Sequence, residues 1–118
     1  MQIPDKFYEL GFDIDEYNRR FAKLPKLYKE CLAIYFSTND IARLQQLFNS
    51  KQWIKAEDCA HNLKGAAGNL ALMSLYRLYD EICVILRGSE PSKASRLITR
   101  AADLEAKFRE AAELKTKK

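Results

Sequence analysis

The chain has 118 residues, 47% of them apolar and 31% charged, which is the size and balance of one soluble domain with a single modest core. Twenty basic against sixteen acidic residues leave a formal charge of +4, enough to favour an acidic partner but too small to say whether that partner is nucleic acid or protein. No apolar run approaches the roughly 20 residues needed to cross a bilayer, and "MQIPDKFYEL" lacks the basic and apolar regions of a secretory leader, so a cytoplasmic protein without a membrane partner is expected.

Helical spacing recurs along the chain, and no convincing strand-like alternation interrupts it. In "DIDEYNRRF", Asp13 is a candidate N-cap with Glu16 three residues on, the arrangement of a capping box. Ile14, Tyr17 and Phe21 then share one face of a short helix. Pro25 suits the first turn of the next helix, whose stripe runs through Tyr28, Cys31, Leu32 and Tyr35. "STND" at 37–40 either breaks that helix or caps a second piece carrying Ile41, Leu44, Leu47 and Phe48.

"NSK" at 49–51 reads as a turn, with Asn49 or Ser50 capping a helix that carries His61, the chain's only histidine. Leu72, Leu75, Tyr79, Ile82 and Leu86 form the apolar face of the following helix, and Gly88 stops it. After the turn "SEPSK", the last helix shows a seam of Ala94, Leu97, Ala101, Leu104, Phe108 and Ala111. Four long helices with short connections predict an all-α fold, an antiparallel up-and-down four-helix bundle with a short extra N-terminal helix. A single domain spans 1–118, with 1–24 as an N-terminal cap region, 25–114 as the bundle and 115–118, "KTKK", as a frayed basic tail.

Within "AHNLKGAAGNLA" at 60–71, two of the four glycines follow the histidine. At about 100° per residue, Cys59, Leu63, Ala66 and Leu70 fall about 140–200° from His61, so the helix core lies opposite the imidazole. Ile54, Glu57, Lys64, Gly65 and Gly68 share its side. A buried histidine is excluded by this phasing, and an ordinary surface histidine leaves the glycines unexplained, since each costs about 1 kcal/mol of helix stability. Gly65 and Gly68 instead clear a surface above an exposed nucleophile, with Lys64 supplying a cation suited to a phosphoryl oxygen. Ile54 is either an apolar contact on that surface or a helix-end residue buried by the preceding segment.

The same residues resemble the histidine-containing phosphotransfer (HPt) domain, whose signature is close to "AHxLKGxxGNLG". The N-terminal helices and "LYDEICVILRG" extend the likeness more weakly. The resemblance implies a phosphoryl carrier of a His-to-Asp phosphorelay without kinase activity of its own. His61 would accept phosphate from one receiver aspartate and pass it to another, with Lys64 stabilising it. Ile54, Glu57, Gly65 and Gly68 would lie on the docking surface. Response-regulator receiver domains and a hybrid histidine kinase would be the partners, the chain would act as a monomer, and the Mg²⁺ would sit in the receiver. Asn69 matches the signature but points away enough to serve the helix end instead. Many members carry Gln or Glu on the next helix to orient the imidazole. By residue count that position is Cys83 here, a weaker hydrogen-bond partner. Ala71 replaces the usual glycine after "NL", a change expected to affect only the inter-helix turn.

Three competing readings follow from the residues. Cys31, Cys59 and Cys83 form neither a CxxC pair nor an even set, so free thiols are expected rather than disulfides. Cys59 and His61 point apart on one helix and cannot share zinc, so neither a metal site nor a cofactor is expected. A nucleic-acid-binding bundle would suit the charge, but the basic residues are interspersed with acids and no recognised motif appears, so no nucleic-acid partner is expected. An HPt-shaped module that binds receivers without phosphotransfer is the nearer alternative, because of Cys83.

Overall fold

The computed structural model describes residues 3–116 of the backbone, with side chains described through residue 113. The described residues form α1 (Asp5–Glu9), α2 (Ile14–Phe21), α3 (Pro25–Thr38), α4 (Asp40–Asn49), α5 (Trp53–Asn69), α6 (Met73–Arg87), a 3₁₀ turn (Pro91–Ala94) and α7 (Ser95–Thr116). The side chains of the expected basic tail, 115–118, lie outside the described residues. No described helix is long and apolar enough to cross a membrane. Helix α5 packs most extensively on α6, α4 packs on α5 and α7, and α7 packs on α6, so these four enclose the core.

The N-terminal region holds two short helices rather than the single one expected. Helix α1 is too short to show a periodic stripe, yet its Phe7 is fully buried and meets Phe108 of α7 edge-on at 5.1 Å between ring centroids. Asp13 caps α2 as expected, its Oδ1 accepting from the backbone N–H groups of Asp15 and Glu16. The reciprocal half of a capping box is absent: Glu16 pairs with Arg19 and Arg20, and the Asp13 N–H donates to the Ala71 carbonyl at 2.9 Å. That bond belongs to a stitch between the N-terminal segment and the α5–α6 turn, with an isolated antiparallel bridge between Phe12 and Leu72 and a bond from the Ser74 N–H to the Gly11 carbonyl.

Gly11 makes the stitch possible. Its φ is +101°, and an added Cβ would lie 2.5 Å from the Ser74 side chain. Gly11→Ala is therefore expected to destabilise the fold by about 2 kcal/mol or more, through backbone strain and overlap together; urea unfolding measures it.

Each inter-helix break has its own mechanism. Asn39 adopts the left-handed conformation (φ 51°) between α3 and α4, so "STND" ends α3 and opens a second helix at once, Asn39 standing at the N-cap of α4 without a side-chain capping bond. At "NSK", Asn49 and Ser50 do not cap α5. They belong to the end of α4, where Lys51 (φ 57°) and Gln52 donate to the carbonyls of Phe48 and Leu47 in a Schellman closure. Helix α5 closes in the same way: Ala71 (φ 61°) donates to Gly68 and Leu72 to Ala67. Ala71 thus sits in the one position of that motif where glycine is favoured, a strain of about 1 kcal/mol. Tyr28 anchors the same end from α3, its hydroxyl donating to the Leu70 carbonyl at 2.8 Å.

The seam of α7 is displaced from the expected one. Ala94 is buried but belongs to the 3₁₀ turn before α7; Ala101, Phe108 and Ala111 are buried on α7, but Ile98 and Glu105 are buried with them, while Leu97 and Leu104 are only half-buried. Glu105 Oε2 accepts from the Tyr35 and Tyr79 hydroxyls at 2.6 and 2.5 Å, so two helices are tied to α7 through one carboxylate. Burial pushes its carboxyl above the ordinary value and Asp40 adds to the rise; the tyrosine hydrogen bonds and Arg109 oppose it.

Candidate functional site

Helix α5 buries Ala56, Cys59, Ala60, Leu63 and Ala67. Three of these are alanines, small enough for α5 to approach its neighbours closely. His61 is exposed on the other side, as the phasing predicts. Ile54 is exposed too, at 82%, which removes the reading of a helix-end residue buried by the preceding segment.

The imidazole does not stand alone. One of its ring nitrogens, a Glu57 carboxylate oxygen and Cys83 Sγ all lie within 4.8 Å of one another. Glu57 is one turn before His61 on α5 and half-buried, and Cys83 comes from α6 and is buried. The Cys83 thiol is directed at the Glu57 backbone carbonyl, 3.9 Å away. Burial raises its ionisation above the ordinary thiol value and Glu57 raises it further, against Lys64 and Arg87, so it holds its proton at neutral pH. Arg87 Nε lies 3.7 Å from the Glu57 carboxylate and also donates to the Cys83 carbonyl.

Lys64 is half-buried, its Nζ 3.2 Å from Asp80 on α6 and 5.8 Å from the centroid of the Tyr76 ring. The ammonium is therefore held by α6 and would have to leave Asp80 to meet an anion on the ring. Asp80, Tyr76 and Arg87 are missed by sequence reasoning, which phased α5 against its own apolar face and not against α6. Each lies a turn or two along α6 from Cys83, the position already expected beside the imidazole, and that spacing is the signal that could have found them.

The two glycines differ. An added Cβ at Gly65 would meet nothing within 4 Å, so this turn is open. At Gly68 it would lie 2.9 Å from Tyr76 Cδ1. Gly68 is half-buried by that ring, which corrects the expectation that its side of α5 faces only outward. Asn69 is not grouped with the imidazole contacts: its Oδ1 accepts from Arg20 at 3.0 Å, joining α2 to the end of α5.

The Hpt domain family model matches residues 34–115, from the second half of α3 through nearly all of α7. The chain belongs to the Hpt domain family. Members of this family are histidine phosphotransfer modules of two-component signalling rather than kinases, and His61 with its neighbours falls inside the matched span. Neither the curated proteins nor the solved structures compared with the chain gave a match.

Proposed function

We propose that this Hpt domain is a phosphoryl carrier between two receiver domains, with His61 as the acceptor. The observation that carries this reading is the exposure of the only imidazole on α5, one turn before a glycine whose surroundings are open. A ring nitrogen lone pair attacks phosphorus of a receiver aspartyl phosphate. The N–P bond forms as the P–O bond to the aspartate breaks, releasing its carboxylate. The same exchange in reverse loads the second receiver. Mg²⁺ acts from the receiver, a hybrid histidine kinase stands upstream, and the chain works as a cytoplasmic monomer of a single 1–118 domain. In that reading 1–24 is an N-terminal cap region and 25–114 an antiparallel up-and-down bundle.

In this reading Lys64 exchanges Asp80 for the phosphoryl oxygens once the ring is loaded. Likewise Glu57, rather than Cys83, orients the imidazole; what supports this is that Glu57 lies one turn away while the thiol proton is directed to a backbone carbonyl. Ile54, Glu57, Gly65 and Gly68 lie on the receiver-facing side, and the structural part of Gly68 is to seat Tyr76. The experiment is a two-step chase. A receiver carrying labelled aspartyl phosphate should transfer label to the chain in an acid-labile, alkali-stable form, and an added second receiver should then draw it off. Receiver binding without label would instead favour the docking module that has lost transfer, the reading that Cys83 supports.

Gly65 gives a sharper test of the open surface. Gly65→Ala is expected to stabilise α5 by up to about 1 kcal/mol, since the methyl meets nothing and helix propensity rises. Bulkier Gly65→Gln should leave the fold intact while slowing transfer from the receiver about tenfold or more. Urea unfolding and transfer kinetics on the same samples measure both. Gly68→Gln should also lose stability, about 1–2 kcal/mol, because Tyr76 must move.

A further inference from the structure

The grouping of Glu57, His61 and Cys83 offers more than support for an imidazole. Two of the three are one helical turn apart on α5, which places both side chains on one face, and the third reaches the same point from α6. Carboxylate, imidazole and thiol are the three donor types that a borderline-soft divalent cation accepts together. Bonds of about 2.0–2.3 Å in a tetrahedral site hold donor atoms about 3.3–3.8 Å apart. The observed donors lie within 4.8 Å of one another, so rotamer adjustments of about 1 Å bring them to bonding distance.

We propose that Glu57, His61 and Cys83 bind a divalent cation of the zinc class, with water in the fourth, solvent-facing position. Coordination releases the Cys83 proton to solvent and forms the metal–sulfur bond. Two anionic donors then match the charge of the cation, and the neutral ring supplies the third bond. Arg87, now 3.7 Å from the Glu57 carboxylate, is the competing cation; its side chain is 59% exposed, and it gives up the Glu57 carboxylate while it can keep its bond to the Cys83 carbonyl. Lys64 keeps its own partner, Asp80. Cys59 cannot substitute for Cys83, since it lies on the buried face of α5 with its thiol directed at the Asp40 carbonyl.

The site shares its imidazole with the proposed phosphoryl acceptor, but its test uses neither receiver nor phosphate, so the two readings stand or fall separately. The reduced full chain is titrated with Co²⁺, a spectroscopic stand-in for Zn²⁺, and Zn²⁺ is then added. The expected result is a near-ultraviolet sulfur-to-cobalt charge-transfer band that saturates at one equivalent and disappears on adding Zn²⁺. The Cys31→Ser/Cys59→Ser double variant should keep the band, and Cys83→Ser should lose it. Glu57→Gln and His61→Ala, which alter side chains outside the core, should retain a band but weaken binding by about a hundredfold or more, beyond the roughly 10–100-fold typical of losing an outer partner. Absence of the band in the wild type, its survival in Cys83→Ser, or unchanged affinity in both Glu57→Gln and His61→Ala overturns the site.

Discussion

Replacing Glu105 by alanine is expected to destabilise the fold by about 3 kcal/mol. The substitution removes the acceptor of two buried hydroxyls, those of Tyr35 and Tyr79, and leaves a void between α3, α6 and α7. Each stranded buried hydroxyl costs about 1–3 kcal/mol. Both phenols are themselves held neutral, their ionisation pushed up first by burial and then by the nearby carboxylate. Glu105→Gln keeps an acceptor oxygen and removes the charge, so it should fall within about 1 kcal/mol of wild type at neutral pH.

The pH dependence separates the two variants further. In the folded protein the Glu105 carboxyl titrates above its ordinary 4.5, so the folded state retains a proton that the unfolded chain has already lost. That contribution is fully present below about 4.5 and is lost as pH rises through the folded value. Urea unfolding across this range should therefore show Glu105→Gln gaining on wild type as pH rises. A constant difference between them would mean that the buried carboxyl does not titrate above its unfolded counterpart.

His61→Gln is expected to abolish phosphoryl acceptance. Glutamine keeps a polar, helix-compatible side chain on the exposed face but offers no ring nitrogen to attack phosphorus. The fold should be untouched, because His61 makes no part of the core. Lys64→Ala should reduce the transfer rate about a hundredfold, the low end of the scale for one lost electrostatic contact in a transition state, since the ammonium is only partly desolvated. It should leave stability within about 1 kcal/mol, since the Lys64–Asp80 pair is partly solvated and the Asp80 side chain is 51% exposed. Transfer kinetics from a charged receiver and urea unfolding measure these effects on the same proteins.

The face of α5 was legible because its polar and apolar residues separate around one axis. Ala56, Cys59, Leu63 and Ala67 mark the buried side, and His61 stands opposite them. Interactions that depend on a second helix were not legible. Gly68 reads as bare surface until Tyr76 is brought over it, and Lys64 reads as a free cation until Asp80 arrives from α6. Glu105 was invisible for another reason: periodicity assigns a carboxylate to the solvent face, and only two tyrosines from other helices give it a buried role. The turns were located in the sequence, but their left-handed closures were not, because the residues that adopt them are not glycine. Asn39, Lys51 and Ala71 all have positive φ; "NSK" is the turn its composition suggests, but its bonds complete α4 rather than cap α5. Cys83 was placed beside the imidazole by resemblance, but its grouping with Glu57 emerged only from the packing of α6 on α5.

The most direct measurement is ³¹P NMR of the chain after loading from a phosphorylated receiver and removal of that receiver. A phosphoramidate resonance coupled to the ring protons of His61, and missing from His61→Gln, is the predicted result. A phosphate found instead on a carboxylate or hydroxyl, or a resonance that persists in His61→Gln, would contradict the assignment of His61 as the acceptor.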